Sequence, residues 1–200
     1  VLERHPFPGP GLAIRCLCAA SEQPVSRTPE GFLLPVRSVG VQGDERSYAH
    51  PVVITGRCDW GVLEELSTRI TNAYSSVNRV VYGLNVSENP KYKLIEAYVT
   101  KNRLDTLRAV DNVVTEVLHS SGEYGSIWQM PVVLLPLVDE TGNECVVLRP
   151  IVSQEAMTAT FKPLKQSTLD LIVKRVGELN SVGGLFFDIT HKPPATIEWE

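Results

Sequence analysis

Two apolar hairpins, each followed by a segment of helical period and then one more apolar run, dominate the pattern of this 200-residue chain. The first hairpin joins FLLPVRSVGV (32–41) to SYAHPVVIT (47–55) through the turn QGDERS, where Gly43-Asp44 supplies the turn chemistry. Asp59 then offers an N-cap to a segment whose Leu63, Leu66, Ile70 and Ala73 recur at steps of three and four, as one face of a helix requires. VNRVVYGL (77–84) follows as a strand. The second round runs through PVVLLPLV (131–138), the turn DETGNE, CVVLRPIV (145–152), a helix carrying Leu169, Ile172, Val173, Val176 and Leu179, and the strand GLFFDIT (184–190). Leu33-Leu34-Pro35 returns as Leu134-Leu135-Pro136 and Val77 as Val182, about a hundred residues later in each case, a shift expected of two copies of one unit. The pattern predicts an α+β fold of two related two-layer units. Each unit would be a small antiparallel sheet packed with a helix, and the two would bury their open faces against each other.

The rest of the chain fills in around these units. RHPFPGPGLAIR (4–15) carries three prolines among glycines, which deny it helix and central strand and predict a shaped loop. Residues 19–31 are polar and irregular and read as a linker. Between the two rounds lie a strand-like YKLIEAYVT (92–100) and a helix from Leu104 to Leu118, with Leu104, Leu107, Val114 and Val117 at helical spacing and a stop at Gly122. These breaks divide the chain into a loop and linker at 1–31, a first unit at 32–125 and a second at 126–200. With 43% hydrophobic and 21% charged residues the chain is an ordinary globular one. Its formal charge of -4 gives no electrostatic reason to expect nucleic acid or an anionic membrane as partner. Cys16, Cys18, Cys58 and Cys145 lack zinc or redox spacing and read as free thiols of a reducing compartment. No apolar run nears the roughly 20 residues that span a bilayer, and no signal-peptide pattern opens the chain, so a cytoplasmic location is expected. A first residue that is Val1 and not Met suggests a piece of a longer polypeptide.

Candidate functional residues fall in three places. Asp44 and Arg46 sit in the Gly-punctuated turn, where side chains can meet a ligand, although a solvated turn has the same composition. The C-terminal HKPPATIEWE offers Lys192 as a point charge suited to phosphate, and Pro193-Pro194 limits the wandering of the chain beside it. Thr196, Ile197 and Glu198 bring a hydroxyl and backbone amides, and Trp199 an anchor; a docked terminus with a purely stabilising role fits the same residues. Gln129, at the entry to a strand, carries both a donor and an acceptor. His119 is expected at a helix end. No metal-ligand pattern and no nucleophilic triad is visible, so no catalytic residue is named.

Taken together, RHPFPGPGLAIR, LPVRSVGVQGDERSY, VNRVVY, QMPVV and KPPATIEWE resemble the C-terminal region of GMP synthase, in the family's order and over nearly the whole chain. That resemblance implies XMP-binding and dimerisation functions, within an enzyme that converts xanthosine monophosphate (XMP) to GMP. ATP activates the base oxygen and glutamine-derived ammonia displaces AMP. It implies partner domains, an ATP-pyrophosphatase and a glutamine amidotransferase, with ATP and magnesium used by the full enzyme and no cofactor held by this region. Asp44, Gln129, Lys192, Ile197 and Glu198 would contact XMP, with Arg46 a weaker candidate. Neither a glutamine-activating Cys elbow nor a pyrophosphate loop is present; SVGG (181–184) lacks the acid, so this region alone is expected to be inactive. The rival expectation is an interaction module that keeps the fold and binds no nucleotide.

Overall fold

The computed structural model describes residues 5, 11–42, 45–56, 59–87 and 90–200. Most of the proline-rich opening, the Gly43-Asp44 turn and Cys58 lie outside the described residues. In chain order the elements are β1 (Gln23–Pro24), β2 (Ser26–Thr28), β3 (Gly31–Leu33), β4 (Ser38–Gln42), β5 (Glu45–Ile54), α1 (Trp60–Ala73), β6 (Val77–Gly83), β7 (Lys93–Leu94), α2 (Lys101–Ser120), β8 (Val132–Val138), β9 (Glu144–Leu148), β10 (Ile151–Val152), β11 (Thr160–Phe161), α3 (Gln166–Gly177) and β12 (Val182–Asp188).

The helices form where caps and periodicity place them. Asp59 accepts from the Val62 amide at 3.0 Å to open α1, and Thr100 accepts from the Arg103 amide at 3.3 Å to open α2. Gly122, at a φ of 73°, ends α2 in the left-handed conformation that a side chain resists. His119 lies in the last turn of α2, stacked on Tyr124.

The strands join differently from the expectation. Instead of two small antiparallel sheets there is one mixed sheet of ten strands, in the order β1-β7-β8-β9-β12-β6-β5-β3-β2, with β4 also paired to β5. Within it β5 and β6 are parallel across α1, and β9 and β12 are parallel across α3. A helix between two strands carries the chain back to the same end of the sheet, so the second strand runs parallel to the first. The two parallel pairs meet antiparallel where Phe187 of β12 faces Tyr82 of β6.

Prolines explain two further departures. The run 32–41 splits at Pro35 into β3 and β4, and 145–152 splits at Pro150 into β9 and β10, because proline has no N–H for the ladder. The supposed linker 19–31 contains β1, β2 and the start of β3, with β1 and β2 at the sheet's two edges. Of YKLIEAYVT only Lys93–Leu94 is a strand, while Thr100 caps α2.

Alternation along the strands sends side chains to two cores. One face holds Val80, Val146, Leu148, Leu185 and Phe187 against Leu63 and Ile70 of α1, Leu107 and Val114 of α2, and Ile172 of α3. Each such side chain contributes about 1.5–3 kcal/mol when fully buried. Among the described residues the opposite face carries no helix; Val81, Val147 and Phe186 meet Leu17, Leu34 and Val36 from loops and Trp199 from the tail.

Candidate functional site

Arg79, Arg149 and Asp188 interrupt the apolar strand runs, and each shares its parity with a residue of the helix-free face: Arg79 with Val81, Arg149 with Val147, Asp188 with Phe186. They therefore meet beneath the tail, all with no exposed surface. Asp188 Oδ2 lies 3.0 Å from Arg79 Nη1 and 2.8 Å from Arg149 Nη1, and it accepts from the Trp199 indole Nε1 at 3.0 Å. The Arg79 guanidinium stacks 5.0 Å over the Trp199 ring. Burial, and then the nearby Arg149, draw the Arg79 pKa down to about 9. Burial would raise the Asp188 pKa, but the two arginines and Thr190 outweigh it and hold the carboxyl below the usual carboxylate range.

The arginine donors not used on Asp188 go mainly to the tail. Arg79 Nη2 donates to the Glu198 carbonyl at 2.5 Å, to Thr196 Oγ1 at 2.7 Å and to the Val39 carbonyl at 3.0 Å. Arg149 Nε donates to the Ile197 carbonyl at 3.0 Å, and its Nη1 to the Thr190 carbonyl at 3.2 Å. Strand β4 supplies a second line of contact. The Val39 amide donates to the Trp199 carbonyl at 2.9 Å and the Val41 amide to the Pro194 carbonyl at 2.7 Å. Gly40 lies between them because a Cβ there would stand 2.7 Å from the Pro194 oxygen. Trp199 is 1% exposed, as its role as an anchor requires.

The earlier part of the tail docks on the β10–β11 hairpin. Lys192 and Ala159 exchange backbone hydrogen bonds at 2.7 and 3.1 Å, and Lys192 Nζ donates to the Ala156 carbonyl at 2.5 Å. Lys192–Pro193 and Pro193–Pro194 are both cis. The half-buried Lys192 lines an open cleft of about 410 Å³ with Ser153, Thr158, Thr160 and His191, and His191 Nε2 lies 2.9 Å from Glu64 of α1.

The sequence-predicted residues distribute over this frame as follows. Asp44 lies outside the described residues. Arg46 is exposed on β5 opposite Val41, one strand away from Pro194. Gln129 is buried, and its backbone pairs with Ile151 at the start of the same hairpin that receives Lys192. Ile197 gives its carbonyl to Arg149. Glu198 lines a second cleft, of about 440 Å³, with Ile14, Cys16, Cys18 and Val99, which has no residue in common with the Lys192 cleft. Lys192 and Glu198 thus lie on separate clefts, and neither Arg46 nor Gln129 lines either of them. Arg79, Arg149, Asp188 and Thr190 have no place in the sequence reading; the signal for them is a charge inside an otherwise apolar strand. Cys16 and Cys145 are buried free thiols and Cys18 an exposed one.

The chain is thus a mixed α/β fold whose last strand leads into a tail held by buried ions, and comparison with known proteins identifies its family. The model of the GMP synthase C terminal domain matches residues 29–92 and 116–199. A probable glutamine-hydrolysing GMP synthase of Leptospira interrogans is 41% identical over 98% of this chain and 35% of its own length. The glutamine-hydrolysing GMP synthase of Dictyostelium discoideum is 26% identical over 98% of the chain and 36% of its own length. That of Mycobacterium tuberculosis is 44% identical over 51% of the chain and 21% of its own length. The chain belongs to the GMP synthase C-terminal domain family, and it spans about a third of the length of the first of these relatives.

Proposed function

We propose that this chain forms the XMP-binding part of a glutamine-hydrolysing GMP synthase, an enzyme that aminates XMP to GMP at the expense of ATP. The observation that carries the reading is the docked KPPATIEWE tail, which holds the Lys192 ammonium in a hydroxyl-lined cleft and then pairs with β4 at Pro194 and Trp199. An ammonium fixed at a cleft wall neutralises a phosphate, and a charge-assisted bond of this kind is among the stronger polar contacts. Arg46 and Asp44 of the hairpin, Gln129, and Ile197 and Glu198 of the tail complete the proposed contacts. The role of the region is orientation of the purine and neutralisation of its phosphate, with binding energy used to place the reacting oxygen.

Activation of that oxygen belongs to an ATP-pyrophosphatase domain, and ammonia to a glutamine amidotransferase domain, both as partners. No group of three His, Cys, Asp or Glu side chains that could hold a metal ion is found among the described residues; magnesium is expected with ATP in the partner domains, and no step is assigned to it here. No helix among the described residues is long and apolar enough to cross a membrane, and a cytoplasmic location accompanies the proposal. The two-unit organisation is also proposed: the family model matches in two stretches, and each contains one parallel strand–helix–strand unit.

The interaction-module reading is favoured by one fact, the separation of the Lys192 and Glu198 clefts. Hydrogen exchange with and without XMP separates the two. Slower exchange in residues 153–160 and 191–199 on adding XMP supports nucleotide binding, while an unchanged pattern at saturating XMP favours the interaction module.

A further inference from the structure

Tail residues 196–199 are held by three side chains from three separate segments: Arg79 of β6, Asp188 of β12 and Arg149 just beyond β9. The cluster is poorly arranged if stability alone is its use. It carries two guanidiniums against one carboxylate, and Arg79 Nε and Arg149 Nη2 are buried without an acceptor. Replacing buried ions by apolar residues of similar size is often neutral or stabilising, so a charged cluster of this kind calls for a role in geometry. That role is visible in where the donors point. Arg149 Nε and Arg79 Nη2 reach the carbonyls of Ile197 and Glu198, consecutive tail residues, and Asp188 fixes both guanidiniums and the Trp199 indole at one oxygen. A guanidinium presents several donors in a rigid plane, and a lysine at the same place supplies the charge without the fork.

We infer that Arg79, Arg149 and Asp188 are positioning residues which set the register of the tail that carries the proposed XMP contacts; the inference rests on the XMP-binding reading. They act through the tail backbone and touch no substrate. Breaking the fork while keeping the charge frees the tail and leaves the sheet intact.

The test compares Arg149→Lys with the parent by amide hydrogen exchange and by calorimetric titration of XMP, both on the full-length polypeptide, with Lys192→Ala as the reference for the nucleotide reading. The amides of Val39 and Val41 report on the tail directly, since their acceptors are the Trp199 and Pro194 carbonyls. Arg149→Lys is expected to speed exchange at these two amides at least tenfold, to leave Val133 and Val146 protected, and to weaken XMP binding roughly five- to twentyfold. Unchanged exchange at Val39 and Val41 overturns the lock. Faster exchange with unaltered XMP affinity, when Lys192→Ala does weaken binding, overturns the positioning role and leaves the nucleotide reading standing. If neither variant weakens binding, the nucleotide reading falls and the positioning role falls with it. Should Arg149→Lys not fold, Trp199→Phe removes only the indole donor to Asp188 and is read by the same outcomes.

Discussion

Asp188 is the residue on which the tail's geometry turns, and its chemistry makes a pH prediction. Its carboxyl is held below the usual carboxylate range, so its folded pKa lies under the unfolded value near 3.8. A group of this sign contributes stability that is fully present above the unfolded pKa and is lost as the pH falls through the folded one. Urea unfolding should therefore show a steep loss of stability below about pH 4. Asp188→Asn should lose about 3–5 kcal/mol at pH 7, because it leaves two buried cations without their anion. An Asn variant as stable as the parent at pH 7 would contradict the account. Arg79 and Asp188 are 109 residues apart in sequence, which is why the sequence reading passes over them: inside VNRVVYG and GLFFDIT each charge stands alone, and only the pairing of β6 with β12 brings them together. Trp199 reads as an anchor from its large amphipathic ring, and it is buried with its indole donating to Asp188.

At the scale of elements, the helices were the most legible part of the chain. The Asp59 cap and the apolar positions are local, so three to four residues of context are enough to fix them, whereas Thr100, the cap of α2, falls inside a run that reads as strand-like. The pairing of strands is not local, and the sequence pattern of a hairpin plus helix plus strand does not say whether two such units keep separate sheets or merge along β6 and β12. The parallel β5/β6 and β9/β12 pairs follow from the helix between each, an inference that was open to the sequence and missed there. Strand β4 gives the second half of the tail its backbone partners, and Gly40, bridged to Ala195, leaves no room there for a Cβ. Gly40→Ala should press on the Pro194 carbonyl and on the buried Asn78 of β6, and loosen the tail. The expected readout is faster amide exchange at Val39 and Val41; exchange at the parental rate would show that β4 does not hold the tail.

For the molecule as a whole, two expectations follow from a single sheet that buries both parallel units against each other. The 22.1 kDa chain should sediment as a monomer at micromolar concentration, since β6 and β12 already supply the contact that two separate chains would otherwise have to make; a tight dimer would count against the two-unit proposal. The chain alone should also form no GMP. Activating the purine oxygen needs a loop of backbone amides around pyrophosphate and placed carboxylates for a metal, and the sequence supplies neither pattern. AMP released in step with GMP from XMP, ATP, magnesium and ammonium, above a protein-free control, would overturn this. If the Lys192 ammonium meets the phosphate of XMP, calorimetric titration of XMP into the full-length polypeptide and its Lys192→Ala variant should show a loss of about 1.5–3 kcal/mol in binding free energy for the variant; equal affinities in the two titrations would contradict that contact.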